Sequence, residues 1–386
     1  MEFDFNEEQQ LLQDTVRRFL EKELRPLDDQ YGDREMEPEL AKSLLKKLLP
    51  FGYMGTDRTD DPIITGILYE ELGRNFPGLA GIVFLADAAS LIISLAAHPE
   101  LKERLAEPLL NADLIGCAAI SEPNVGSDPT SIECRAELKG DHYVISGTKT
   151  WISNGHIADV AIVTAQTDPA KGVMGLVQVL VDRNETPFES RDIDTIGMKS
   201  FPTSELYFND LEVPAINRLG GWQNEQNPMM AKKAQGNPFN FNSARVMCAS
   251  LSCGIAQRAM DLAVDYVQQR KQFGKEIGRF QMVQALIADM AIDLEAARLL
   301  TFQARQLISR RPCNKEVSIA KAYATEMGVR VTSKAMECMG AMGLATEARL
   351  ERCLRDARVW IVPDGTSQIQ RLIIGKELTG FSATRG

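Results

Sequence analysis

Histidine is scarce. The 386 residues contain three, His98, His142 and His156, so chemistry built on a histidine base or a multi-histidine metal centre is not expected. The seven cysteines are odd in number and scattered, with no CxxC pair and no Cys/His cluster at zinc spacing. That excludes a disulfide framework and points to a reducing, cytoplasmic setting. Neither GxGxxG nor GxxxxGK[ST] occurs, so any nucleotide must be held by another arrangement. Long apolar runs are lacking too. The longest, near Leu91–Ala97, falls short of the roughly 20 residues a bilayer span needs, and the acidic start MEFDFNEEQQ has no signal-peptide core. Lys and Arg number 43 against 53 Asp and Glu, a net charge of −10. This argues against nucleic acid or an anionic membrane as the main partner, as the short apolar run argues against membrane insertion, while leaving room for a local basic pocket around one phosphorylated ligand.

What is present is a globular composition, 44% hydrophobic and 25% charged, long enough for two or three domains. The first 110 residues carry helical periodicity. Asn6 and Gln9 read as a capping box ahead of the stripe Leu12, Val16, Phe19 and Leu20. Further helices are expected at Pro38 to about Leu49, around ILYEELGR (67–74), over roughly Gly78–Leu95, and from Pro99. After Asn111, HYVISGTKTWIS (142–153), DVAIVTAQTD (159–168), GVMGLVQVLVD (172–182) and SELYFNDLEVP (204–214) read as strands of an antiparallel sheet or barrel. Residues 215–238 form a long connection. Helices return at about 242–271, 279–310, 315–339 and 366–378. The strands are confined to the middle, which is not the alternation of a Rossmann fold. The expectation is an α+β protein with an N-terminal α-helical domain (1–112), a middle β-domain (113–220) and a C-terminal helical bundle (221–386).

Five segments carry chemistry: AAISEPNVGSDPTS (118–131), TKTWISNG (148–155), RKQFGKEIGRFQ (270–281), AMECMGAMGL (335–344) and RDARVWIVPDGTSQIQRLIIGKEL (355–378). Singly, each has a plain structural reading: a Gly/Ser/Pro loop, a strand with a surface Trp, a basic helix end. Together and in this order they resemble the acyl-CoA dehydrogenase family over nearly the whole chain. The resemblance implies a helical–sheet–four-helix-bundle fold, FAD held between sheet and bundle, a homotetramer whose neighbouring subunit completes each flavin site, an acyl-CoA substrate and electron-transferring flavoprotein as acceptor.

The resemblance also assigns residues. Ile120, Ser121, Gly126 and Ser127 would touch the flavin, with Ser127 also near CoA, and small residues there let backbone approach a flat ligand. Trp151 and Ser153 would flank the isoalloxazine. Arg270, Phe273 and Gln281 would serve the FAD of a partner subunit, Arg being suited to phosphate. Glu337 and Gly340 would lie near the ADP portion, although Glu337 departs from the family's usual Gln and is unfavourable beside a pyrophosphate unless it points away. Thr366 and Gln368 complete the flavin set. Phe84, Ala244, Arg245 and Gly365 would border the substrate, Arg245 having either a CoA-side or a structural role.

In this family a carboxylate removes the α-proton while a β-hydride moves to flavin N5. Where most members carry Glu-Gly-Thr, this chain has Asp364-Gly365-Thr366, one methylene shorter, after Pro363. Some relatives place a glutamate base on the first bundle helix instead; the matching residue here is Ala244. Three readings stand: Asp364 is the base, another carboxylate acts in its place, or Asp364 caps the following helix. The other carboxylate is Asp87, between Val83 and Leu91 on an apolar helix face. A short GYMGTDRTDDP segment and the long 215–238 connection suggest a cyclic or otherwise non-linear acyl group. The alternatives are an atypical member, either a 1,4-eliminating dehydrogenase using Asp87 or a CoA-thioester lyase such as a desulfinase, and a non-catalytic acyl-CoA-binding flavoprotein.

Overall fold

The computed structural model describes residues 4–56, 58–220 and 241–384; most of the 215–238 connection therefore lies outside the described residues. The chain opens with helix α1, Glu7–Phe19, started by the expected capping box: Asn6 Oδ1 accepts from Gln9 N at 2.9 Å and Gln9 Oε1 from Asn6 N at 3.1 Å. One π-helical turn, Leu20–Leu24, leads into α2, Arg25–Tyr31, which the periodicity did not separate. Four helices then begin on a proline: α3 (Pro38–Leu48), α4 (Pro62–Asn75), α5 (Pro77–Ala96) and α6 (Pro99–Leu110). Proline's fixed φ suits a first turn, where its missing N–H has no partner to lose. By length and composition α5 could cross a membrane, contrary to the expectation that no apolar run is long enough. It is instead a core helix, with Leu79, Ile82, Val83, Ala86 and Ile93 buried.

The sheet holds β1 (Gly116–Ala119), β2 (Arg135–Lys139), β3 (His142–Ser153), β4 (Val160–Gln166), β5 (Leu176–Asp182), β6 (Glu189–Asp192) and β7 (Thr203–Pro214). The four long strands match the sequence reading, except that residues 169–175 form a 3-10 turn. The spatial order is β1-β4-β2-β3-β7-β6, with β5 paired to β4. The sheet is not purely antiparallel: β1 runs parallel to β4, and β2 meets β4 in parallel at Arg135–Gln166. The β2–β3 hairpin provides the crossover that a parallel pairing requires.

The bundle comprises α7 (Asn242–Gln269), α8 (Gln281–Ile308), α9 (Asn314–Met339), the short α10 (Leu350–Val359) and α11 (Ser367–Thr379). The central α7 packs against α4 so closely that a Cβ on Gly254 would lie 2.1 Å from the Glu70 carbonyl oxygen. Buried charge ties the layers together. Asp28 on α2 accepts from Arg258 at 2.6 Å and from Arg352 of α10. Between sheet and bundle, Asp356 of α10 accepts the Met198 N–H at 2.5 Å. Burial pushes the Asp356 carboxyl up to about 7, against the pull of that N–H and of Arg352.

That contact gives a stability test. Asp356→Ala leaves a buried N–H without an acceptor and is expected to cost about 1–3 kcal/mol. Asp356→Asn retains an acceptor and should cost less. Thermal melts of both holoenzymes check the order, and equal losses would show that the Met198 bond contributes nothing.

Candidate active site

The turn between α10 and α11 carries Asp364. Asp364 and Gly365 both adopt positive φ, 56° and 95°, a conformation costly for a residue with a Cβ. Three side chains hold it. Arg245 Nε donates to the Asp364 carbonyl at 3.0 Å. Gln370 Nε2 donates to the carbonyls of Asp364 and Gly365 at 3.1 and 2.8 Å. Buried Lys321 on α9 donates to the carbonyls of Ile361 and Gly365 at 2.8 and 2.9 Å. Thr366, not Asp364, caps α11, its hydroxyl accepting from Ile369 N at 3.4 Å. The capping reading of Asp364 is therefore corrected. Gly365 suits the spot also by size, since a Cβ there would stand 2.8 Å from Gln370 Nε2.

The Asp364 side chain keeps its own environment. Its Oδ2 accepts from the Cys248 thiol at 3.4 Å. Burial raises its carboxyl above the ordinary range, while the Cys248 bond, Lys321 and Arg245 pull the other way. Ala244 lies one turn before Cys248 on α7 and is itself buried. Arg245, besides gripping Asp364, bonds Asn242 Oδ1 at 3.2 Å, which is a positioning geometry.

A second carboxylate stands on α5. Asp87 is buried, 8% exposed. It is paired: Arg58 Nε lies 2.8 Å from Asp87 Oδ2. Burial raises the Asp87 carboxyl to about 6, with Arg58 opposing. Phe84, one turn earlier, is half-buried and meets the Tyr69 ring edge-on at 6.1 Å.

The loop from Ile120 to Ser127 is built on a buried ion pair that sequence reasoning missed. Lys149 Nζ donates to Glu122 Oε1 at 2.7 Å and to the Ile120 carbonyl at 2.9 Å. Glu122 also accepts the N–H groups of Glu133 and Cys134 at 2.7 and 2.9 Å, and Thr150 N donates to the Ser121 carbonyl at 3.0 Å. The loop above is open: Gly126 and Ser127 are exposed, and no atom lies within 4 Å of a Cβ placed on Gly126. Beside it, β3 bulges. Lys149 pairs with Leu206 but Ile152 with Ser204, one residue too many on β3, and the excess turns Trp151 outward at φ 60° and 60% exposure. Ser153 is half-buried one residue past the bulge's end. Exposed backbone, hydroxyls and an outward indole fit a flat polar ligand with a phosphate chain, as FAD is.

Arg270, Phe273 and Gln281 gather around a hairpin at the end of α7, away from the Asp364 turn. Lys271–Gln272 pairs with Lys275–Glu276, and Phe273 and Gly274 both have positive φ, 52° and 78°. Phe273 is 93% exposed and meets the Phe280 ring edge-on at 6.0 Å. Arg270 and Gln281 are exposed as well. Glu337 is exposed at the end of α9, and Gly340 follows at φ 58° with nothing within 4 Å of a Cβ there. Gln368 is exposed on the first turn of α11.

The chain matches three family profiles: acyl-CoA dehydrogenase N-terminal domain over residues 6–113, middle domain over 117–211 and C-terminal domain over 239–379. It is 36% identical to cyclohex-1-ene-1-carbonyl-CoA dehydrogenase of Geobacter metallireducens, covering 96% of this chain and 98% of that one. The chain belongs to the acyl-CoA dehydrogenase family. Its fold is similar to a glutaryl-coenzyme A dehydrogenase in complex with glutaryl-CoA (TM-score 0.87, 31% identity, 100% of this chain and 98% of that one). It is also similar to a glutaryl-CoA dehydrogenase from Mycobacterium smegmatis in complex with FADH2 (TM-score 0.85, 25% identity, 99% and 97%). As a member of the family it is a flavin-dependent oxidoreductase of acyl-CoA thioesters, with FAD as cofactor.

The residues missed are those acting from behind: Cys248, Lys321, Gln370, Arg58 and the Glu122–Lys149 pair. Lys321 gave a signal, being a lone lysine among Val317, Ala320 and Ala324 on a buried helix face. For the ion pair, Lys149→Met is expected to strip FAD and lower the melting temperature together. It leaves Glu122 charged and buried without its cationic partner, with only the Glu133 and Cys134 N–H groups on it, a loss of about 3–5 kcal/mol. The ratio of flavin to protein absorbance and a thermal melt measure both; full flavin content would separate the pair from the flavin loop.

Proposed function

We propose that the chain oxidises a CoA thioester with a cyclic or otherwise non-linear acyl group, with Asp364 as the base that takes the α-proton. The supporting observation is the Asp364 turn: a carboxylate whose backbone is fixed by Arg245, Gln370 and Lys321 and whose acidity is lowered by burial. Bound FAD supplies the two-electron oxidant that accepts the β-hydride. Asp364 receives the proton at its carboxylate, and the C–H electron pair passes toward the thioester carbonyl, where hydrogen-bond donors stabilise the developing oxyanion. Ile120, Ser121, Gly126, Ser127, Trp151, Ser153, Thr366 and Gln368 would hold the cofactor. The same reading gives Arg270, Phe273 and Gln281 to the flavin of a neighbouring copy in a homotetramer. Phe273, Met282 (80% exposed) and Ile292 (69%) offer apolar surface along the hairpin and α8 for such a partner. Electron-transferring flavoprotein is the acceptor that family membership suggests.

A second reading has Asp87 deprotonating a carbon farther along the acyl group, in a 1,4-dehydrogenation. It is favoured by a buried, Arg58-paired carboxylate on α5 and by the name of the Geobacter relative.

Anaerobic bleaching of the flavin with butyryl-, glutaryl- and cyclohex-1-ene-1-carbonyl-CoA tests both. Asp364→Asn is expected to slow bleaching by about 10²–10⁴-fold with every thioester. Should Asp87 act, Asp87→Asn slows only the cyclic thioester, and the wild-type rate with that thioester falls as pH drops below about 6. A proton acceptor must be ionised, and Asp87 protonates there. Product without flavin reduction would indicate a lyase, and binding without chemistry a non-catalytic protein.

A further inference from the structure

We propose that Cys248 is a positioning residue for the base: its thiol holds Asp364 Oδ2 against α7 and leaves Oδ1 to meet the substrate. This rests on Asp364 being the base. The donors around the turn divide into two sets. Arg245, Gln370 and Lys321 all bind carbonyl oxygens and fix the backbone. Among the described residues only Cys248 bonds the carboxylate, at 3.4 Å, and none of them donates to Oδ1. An aspartate on a fixed αL backbone still has a free χ1, so the backbone grip alone does not set where its oxygens point.

The choice of a thiol has a physical consequence. A carboxylate bonded by two or three N–H groups becomes a feeble base. A thiol is a weak donor, so it can orient the oxygen while leaving most of its basicity. The donor stays protonated, because burial and the facing Asp364 charge raise the Cys248 thiol well above its ordinary range. The charged and titratable groups facing Asp364 are Arg245 and Cys248 from α7 and Lys321 from α9. Ala244, one turn before Cys248, brings no competing acid.

The test uses FAD-loaded wild type, Cys248→Ala, Cys248→Ser and Asp364→Asn, with whichever of the three thioesters bleaches the wild type fastest, as a function of pH. Removing the thiol should lower the limiting rate about tenfold, by analogy with small misplacements of reacting groups. It should also shift the acid limb of the profile upward, since a donor to the ionised form is lost. Cys248→Ser restores a donor, so its limb should lie at or below the wild-type position with most of the rate retained. Coincident profiles for the wild type and both Cys248 variants overturn the proposal. So does a serine variant that behaves like alanine, which would make Cys248 mere packing. An Asp364→Asn enzyme as fast as wild type, or a wild type that no thioester bleaches, removes the base itself and is distinct from failure at Cys248. If Cys248→Ala does not fold, the serine profile alone decides, a lost or upward-shifted limb counting against the proposal.

Discussion

The site depends on keeping a short carboxylate on a left-handed turn between two helices. Asp364 at φ 56° is disfavoured by roughly 1–2 kcal/mol relative to an ordinary backbone, and Gly365 follows at φ 95°. The turn persists because its carbonyls are engaged. Lys321, fully buried, directs its ammonium at Ile361 and Gly365, while Gln370 reaches back from α11 and Arg245 across from α7. A buried ammonium without a bonded carboxylate is itself unfavourable, and burial lowers the Lys321 pKa. Asp364 is among the charges that oppose this. Asp364 and Lys321 thus favour one another's ionised forms across the turn that joins them.

Much of this arrangement could be read from the residues. Helical and strand periodicities placed the long elements, because an amphipathic helix of many turns repeats its signal and β4, buried at every position, is β-rich throughout. The short pieces escaped. β1 and β6 have four residues each, too few for a period, and α2 is continuous with α1 through a π turn. The parallel β1–β4 pairing is a tertiary fact that no local pattern encodes. The same divide runs through the site. Asp364, Gly365, Thr366 and Trp151 belong to local motifs and were visible. Cys248, Lys321 and Arg58 act across 116, 44 and 29 positions of chain, so only folding shows their partners.

Two surface features show irregular backbone lifting a ring into solvent. A bulge in β3 turns Trp151 toward solvent, and the two-residue hairpin turn at Phe273–Gly274 lifts a phenyl ring clear of its own chain. Each exposes a large apolar ring at a backbone geometry that disfavours a side chain. Neither exposure benefits the isolated chain. Both make sense if the rings are covered in the working protein, Trp151 by the flavin and Phe273 by a neighbouring copy.

The two carboxylates sit in different surroundings. Both are raised by burial, but Asp87 has a guanidinium at 2.8 Å, whereas Asp364 has only a thiol on its oxygens. At Asp87 the guanidinium offsets part of the rise that burial causes; at Asp364 the thiol bond, Lys321 and Arg245 do the same. In the reading proposed above, Asp364 takes the proton of the weakly acidic α-carbon of a thioester. Asp87 suits a second role: accepting a proton from a carbon already activated by conjugation, or simply setting the polarity of the acyl pocket. Separate environments for paired carboxylates are how one site divides proton chemistry between two like groups. The difference of partners, arginine against cysteine, is what separates the two environments here.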